Sequence, residues 1–286
     1  MVHYKRQFVY LTCVVVCVAS SSAFAGGNSY SLGVEGFNDD YKEQDLGNTG
    51  KTDGGSVTGY FSHQIGQGAF LAFDARGSYG TEDFSSPTGS VSGIPQWELE
   101  LRGRVGKTFP IWDGEMSPYI GLGYRYTLTQ GKSYTTGLGY EDYDRGTSQF
   151  YIPIGASYFQ GIGGGWSIVP LVEADFMFYG NADSRLTNVN NGAPVNSSCS
   201  PSCNGFQFFN PASNDQHFGI GGRSELMFGK SLGDYSLQAG PFVRYWYVPE
   251  SDSTSYQNLS GGAPVEYSVP KNTTLQAGVA LRVLFQ

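Results

Sequence analysis

From Leu275 onward every second residue is apolar: Leu275, Ala277, Val279, Leu281, Val283 and Phe285. Between them lie Gln276, Gly278, Ala280, Arg282, Leu284 and Gln286, mostly polar or small. An apolar period of two predicts a β-strand with one greasy face. The same rhythm recurs upstream. Tyr30, Leu32 and Val34 mark a first strand, Val57, Phe61 and Ile65 a second, and Leu71, Phe73, Ala75 and Tyr79 a third. Trp97, Leu99, Leu101 and Val105 follow, then Ile120, Leu122, Tyr124, Tyr126 and Leu128. Phe150, Ile152, Ile154, Ala156 and Tyr158 mark a sixth, and Trp166, Ile168, Val172, Ala174, Phe176 and Phe178 a seventh. Phe218, Ile220, Leu226 and Phe228, then Leu237, Ala239, Val243, Tyr245 and Tyr247, complete the series before the last strand.

The connections alternate in length. Gly66–Gly68, Pro110–Met116, Gly161–Gly165 and Lys230–Asp234 are short, whereas 41–54, 80–95, 131–147, 181–214 and 249–272 are long and polar. Short turns at one end and long loops at the other are the layout of a membrane barrel. The pattern therefore predicts an all-β chain forming a single closed antiparallel transmembrane β-barrel of about ten strands. Its short turns would be periplasmic and its long loops extracellular. A soluble β-sandwich is the competing reading, but it would not confine long loops to alternate connections.

The first 25 residues modify this picture. Lys5 and Arg6 precede an apolar run from Phe8 to about Ala19, and Ala23-Phe24-Ala25 gives a small-x-small cleavage site. The run is shorter than the roughly 20 residues of a spanning helix. Residues 1–25 are thus expected to be a cleaved signal peptide and 26–286 the barrel domain. Cys13 and Cys17 lack the small residue before them that a lipoprotein signal would want.

Composition agrees with β architecture. The chain has 41 Gly, 20 Tyr and 19 Phe, with only 15% charged residues. A net charge of −8 and a pI near 4.8 leave no electrostatic footprint for nucleic acid. No cofactor or metal is expected from the motifs present.

With its leader, strand rhythm, the stretch Pro118-Tyr119-Ile120-Gly121-Leu122-Gly123-Tyr124 and an aromatic-ended last strand, the chain resembles bacterial outer-membrane β-barrel proteins of the porin-like and small-barrel class. The resemblance implies a Gram-negative outer-membrane location and contact with membrane lipid and lipopolysaccharide. It also implies recognition of Leu281, Val283 and Phe285 by the barrel-assembly machinery, although Gln286 follows the terminal aromatic. A monomer is expected.

Opposite in parity to the greasy sets stand Glu35, Asp74, Glu98, Glu100, Glu173, Asp175 and Glu225, with Arg76, Arg102, Arg104, Arg125, Arg223, Arg244 and Arg282. Seven acids meet seven bases, and every base is arginine, whose planar fork suits paired carboxylates. The expectation is a lumen filled by a charge-paired network. Asp39-Asp40, Glu82-Asp83 and Glu141-Asp142-Tyr143-Asp144 are acidic clusters near the long loops, either solvated or able to take divalent cations.

Remaining motifs carry less. Cys199 and Cys203, the only cysteines after cleavage, are expected to form a loop disulfide in an oxidising compartment. Asp215-Gln216-His217, with Glu82-Asp83, is similar in spacing to the omptin proteases, ten-stranded barrels with catalytic residues at the rim. The chain departs from that pattern. Tyr179-Gly180-Asn181-Ala182-Asp183, after the seventh strand, has no histidine, and Glu82 and Asp83 have no intervening residue. An outer-membrane phospholipase pattern is absent, and Gly163-Gly164-Gly165 reads as a turn because no helix follows. No catalytic residue is assigned. The leading function is a non-enzymatic structural or surface barrel, contacting outside partners through acidic, Tyr-rich loops. The alternatives are a narrow porin-like channel for small ions or solutes and a rim-located omptin-like hydrolase.

Overall fold

The computed structural model describes residues 27–87, 89–137, 142–185, 212–256 and 265–285. Residues 1–25, expected to be a signal peptide, and Cys199 and Cys203, expected to form a disulfide, lie outside the described residues. Among the described residues fourteen strands run in chain order: β1 (Asn28–Glu43), β2 (Thr49–Ile65), β3 (Ala69–Ser86), β4 (Gly89–Lys107), β5 (Phe109–Ile111), β6 (Gly114–Gln130) and β7 (Asp144–Gly163). They continue with β8 (Trp166–Arg185), β9 (Ala212–Gln216), β10 (Ile220–Ser231), β11 (Tyr235–Val248), β12 (Thr254–Tyr256), β13 (Val265–Tyr267) and β14 (Asn272–Phe285). Neighbours pair antiparallel, and β14 pairs with both β11 and β1, so the sheet closes on itself. Short β5 prolongs the turn before β6, and β9 and β10 form one wall interrupted at 217–219. β12 and β13 form a separate hairpin. The barrel therefore has ten walls.

Closure leaves no backbone edge, as a spanning sheet in lipid requires. Its outer face is apolar: Leu32 and Val34 are each 50% exposed, Leu122 56% and Val279 62%. Aromatic pairs flank this band. Tyr30 and Phe61 lie 5.1 Å apart toward the short-turn end, while Tyr79–Trp97 and Tyr124–Phe150 lie 4.5 and 4.9 Å apart toward the other. The tight turns use left-handed glycines, with φ of 90°, 58° and 75° at Gly163, Gly164 and Gly165.

Two segments read as loops are mostly strand. β1 and β2 stay in register to Lys42–Thr49, and β3 and β4 to Ser86–Gly89, so 41–54 and 80–95 hold only brief connections. Greasy alternation records what the wall faces, whereas the hydrogen-bond ladder needs no apolar side chain. Beyond the lipid band the outward positions turn polar, and Asn38 Nδ2 donates to Asp53 Oδ1 at 2.8 Å across the strands.

Inside the barrel, glycines face aromatic rings across neighbouring strands. Phe37 opposes Gly54, Phe70 opposes Gly106, Tyr119 opposes Gly155, Tyr151 opposes Gly123, Trp246 opposes Gly221, and Phe242 opposes Gly278. In every pair the ring occupies the space a Cβ on the glycine would need. A narrow lumen can accept large rings only where the facing wall has no side chain. This accounts for six of the 41 glycines and for six of the rings.

Candidate functional site

Inward side chains from most of the walls meet at mid-height. Glu35, its side chain 1% exposed, is one hub. Its Oε2 accepts Arg76 Nε at 2.9 Å, Ser56 Oγ at 2.7 Å and Arg244 Nη1 at 3.0 Å; its Oε1 accepts Arg244 Nη2 at 2.7 Å. Gln276 Oε1 accepts Arg76 Nη2 at 3.0 Å and Arg244 Nη1 at 2.9 Å. Arg282 Nη2 lies 2.7 Å from Glu225 Oε2 and 3.7 Å from Glu35 Oε1. Arg76 also bonds Glu98, whose other oxygen accepts Arg125 Nε and Nη2 at 2.8 and 2.6 Å.

Arg223 makes a second hub, with Nη2 2.7 Å from Glu100 Oε1 and Nε 2.5 Å from Glu173 Oε1. Arg102 Nη1 donates to the same Glu173 oxygen at 2.8 Å, and Tyr119 donates to Oε2 at 2.7 Å. Tyr151 donates to Glu100. Asp74 lies between Arg104, at 2.7 Å, and Arg102, at 3.4 Å. The Arg104 guanidinium stands 4.5 Å over the Tyr119 ring.

One expected member stands apart. Asp175 is 1% exposed, but among the described residues it makes no ion pair, and its Oδ1 has no donor. Its register partners are Pro153 and Gly221, neither able to supply a cation, while Arg223 is engaged by Glu100 and Glu173. Equal numbers of acids and bases do not ensure one-to-one pairing. Tyr119, Tyr151, Ser56 and Gln276 belong to the network but were not singled out from the sequence. Their signal was available, since all share the parity of the charged set.

Cavities lie on both sides of the ion-pair layer. Toward the short turns is a cavity of about 840 Å³ bordered by Arg102, Arg104 and Arg282; toward the long connections is one of about 500 Å³. Between them, beside Glu98, Glu100, Arg125 and Arg244, is a void of about 10 Å³.

The sequence-adjacent acids do not form clusters. Asp39 and Glu82 point inward and are buried, whereas their neighbours Asp40 and Asp83 point outward, as strand geometry demands. Glu141 lies outside the described residues. Asp142 borders the upper cavity, its Oδ2 3.5 Å from Arg145 Nη2, which is also 3.9 Å from Glu82 Oε2. Glu82 lies beyond the apolar band, outside the membrane-spanning part of its strand; burial pushes its carboxyl up, and Arg145 opposes that rise.

The rim motif points away from the cavity. Asp215 is on the outer wall, where its Oδ1 accepts Tyr179 Oη at 3.0 Å and Asn181 Nδ2 at 3.2 Å. His217 Nε2 lies 3.6 Å from Asp252 Oδ2, and Gln216 takes the inward position between them. Of the residues whose spacing resembles omptins, Glu82 is inside, whereas Asp83 and Asp215 both face outward, away from the cavity. Leu281, Val283 and Phe285 face outward against Val34, Leu32 and Tyr30.

The chain matches no family model and no curated protein sequence. Among solved structures it is similar to the outer-membrane protease OmpT of Escherichia coli, with a TM-score of 0.61 and 7% identity over 93% of this chain and 98% of that one. Also similar are the translocator domain of the autotransporter NalP of Neisseria meningitidis (TM-score 0.38, 13% identity, 90% and 89% covered) and the toluene transporter TodX of Pseudomonas putida (0.35, 9%, 92% and 90%). The first of these likenesses establishes the shared barrel fold.

Proposed function

We propose that this protein is a non-enzymatic, integral outer-membrane barrel closed at mid-height by its ion pairs, with the cavity above them serving as a surface-facing contact site. The observation that carries this reading is the layer of buried ion pairs at mid-height, which leaves a space of only about 10 Å³ beside two much larger cavities. A ten-walled barrel is close to the size at which side chains alone fill the interior. Here those side chains are charged and cross-braced, so opening a path means separating several buried ion pairs together. The outward placement of Asp215 and the inward placement of Glu82 support a non-enzymatic reading over the hydrolase alternative.

Liposomes carrying the purified protein should not swell in isosmotic arabinose or glycine. Swelling at a rate that scales with protein content would favour the channel alternative. Orientation is tested separately. Protease added to intact cells should cut within 181–214 or 249–272 and spare 161–165; cleavage at Gly161–Gly165 from outside would reverse the assignment.

A further inference from the structure

Around the upper cavity lie buried oxygens that accept no hydrogen bond from the described residues. Asp39 Oδ1, Asn48 Oδ1, Glu82 Oε2, Asp142 Oδ2 and Gln216 Oε1 all lack a donor, and all five residues line this one cavity. Asp39, Glu82, Asp142 and Gln216 are 7%, 4%, 8% and 1% exposed. Native structures leave few buried polar atoms unsatisfied, so five acceptors converging on one space point to a donor that belongs there.

Charge narrows the choice of donor. Of the two arginines on the lining, Arg125 is committed to Glu98. Arg145 reaches Glu82 and Asp142 only at 3.9 and 3.5 Å, while its guanidinium packs 4.5 Å over the Phe84 ring. Among the described residues Asp39 has no ion pair at all. The cavity is therefore short of positive charge as well as of N–H groups. No group of three or more His, Cys, Asp or Glu among the described residues could hold a metal ion. The volume, about 500 Å³, lies in the range of small-molecule sites. Tyr41 and Trp246 add aromatic walls, and the Trp246 ring already carries a cation, the Arg125 guanidinium 5.4 Å from its centroid.

We propose that the upper cavity binds a small organic cation rich in N–H donors, an amine or guanidinium compound, held by the carboxylates of Asp39 and Glu82. This goes beyond the closed-barrel reading and does not depend on it. Binding is read on the protein in detergent, whether or not the lumen conducts, so either idea can fail alone.

The experiment is calorimetric titration of the folded, mature protein with agmatine, with 1,4-butanediol and adipate as neutral and anionic probes of similar length. Saturable one-site binding of agmatine is expected, weakening as salt rises, with neither control bound. Asp39→Asn and Glu82→Gln keep the shape of the lining and should each weaken agmatine at least ten-fold. Heat-modifiable gel mobility checks that each variant is folded. If a variant does not fold, the comparison of the three probes on the wild type decides. No saturable agmatine binding, equal binding of adipate, or unchanged affinity in both folded variants would overturn the proposal, leaving the cavity occupied by water only.

Discussion

Arg223→Ala should cost the barrel about 3–5 kcal/mol, the usual penalty for removing one partner of a buried ion pair. The Arg223 side chain is 3% exposed, and those of Glu100 and Glu173 are 4% and 0%. Alanine removes the guanidinium from both carboxylates at once. Arg102 still reaches Glu173, but among the described residues Glu100 keeps only Tyr151 as a hydrogen-bond donor. Adding Glu100→Gln to Arg223→Ala should recover part of the loss, because a neutral amide needs no counter-charge. Thermal unfolding followed by heat-modifiable mobility reads both effects. A loss under about 0.5 kcal/mol would mean that water screens these charges, as it does for exposed pairs.

The second large effect concerns space. Gly123→Val places a branched side chain where the Tyr151 ring already lies. That ring is fully buried, its hydroxyl bonds Glu100, and its edge meets Trp246 with centroids 5.1 Å apart. It has nowhere to retreat. Overpacking usually costs about 1–3 kcal/mol, and here it also breaks a buried hydrogen bond worth about 1–3 kcal/mol once the acceptor is left unmade. Gly123→Val with Tyr151→Ala should be more stable than Gly123→Val alone. If the double variant is worse than the single by the full cost of losing Tyr151, the clash is not the cause.

The wall of the barrel was legible because lipid imposes a strict rule on every outward position. Leu275 to Phe285 announces its face without any tertiary knowledge, and the seven arginines fall on the other parity. What lies beyond the lipid band was harder to read. Between Asn38 and Glu43, and again from Thr81 to Ser86, the outward positions are polar, the inward ones mix acids with Tyr41 and Phe84, and the period-two signal fades while the strands continue to pair. The lumen was legible in parity but not in partnership. Asp175 shares the parity of Glu173, yet one carboxylate bonds two arginines and the other none, because partnership depends on which residues face each other across neighbouring strands. Glycine showed a similar limit. Its abundance was visible, but the reason appears only when Gly123 is seen under Tyr151 and Gly54 under Phe37. The rim residues show the same limit: the spacing of Glu82 and Asp215 was visible, but not that one faces the lumen and the other the outside.

The proposed function rests on a lumen closed at mid-height, and electrical conductance tests that most directly. Purified wild-type protein inserted into planar bilayers should give no steady open channels across the physiological voltage range. Arg102→Ala, which removes a guanidinium bordering the lower cavity, should remain closed while losing thermal stability. Steady ohmic conductance from the wild type, shifting toward cation selectivity in Arg102→Ala with stability unchanged, would contradict the account.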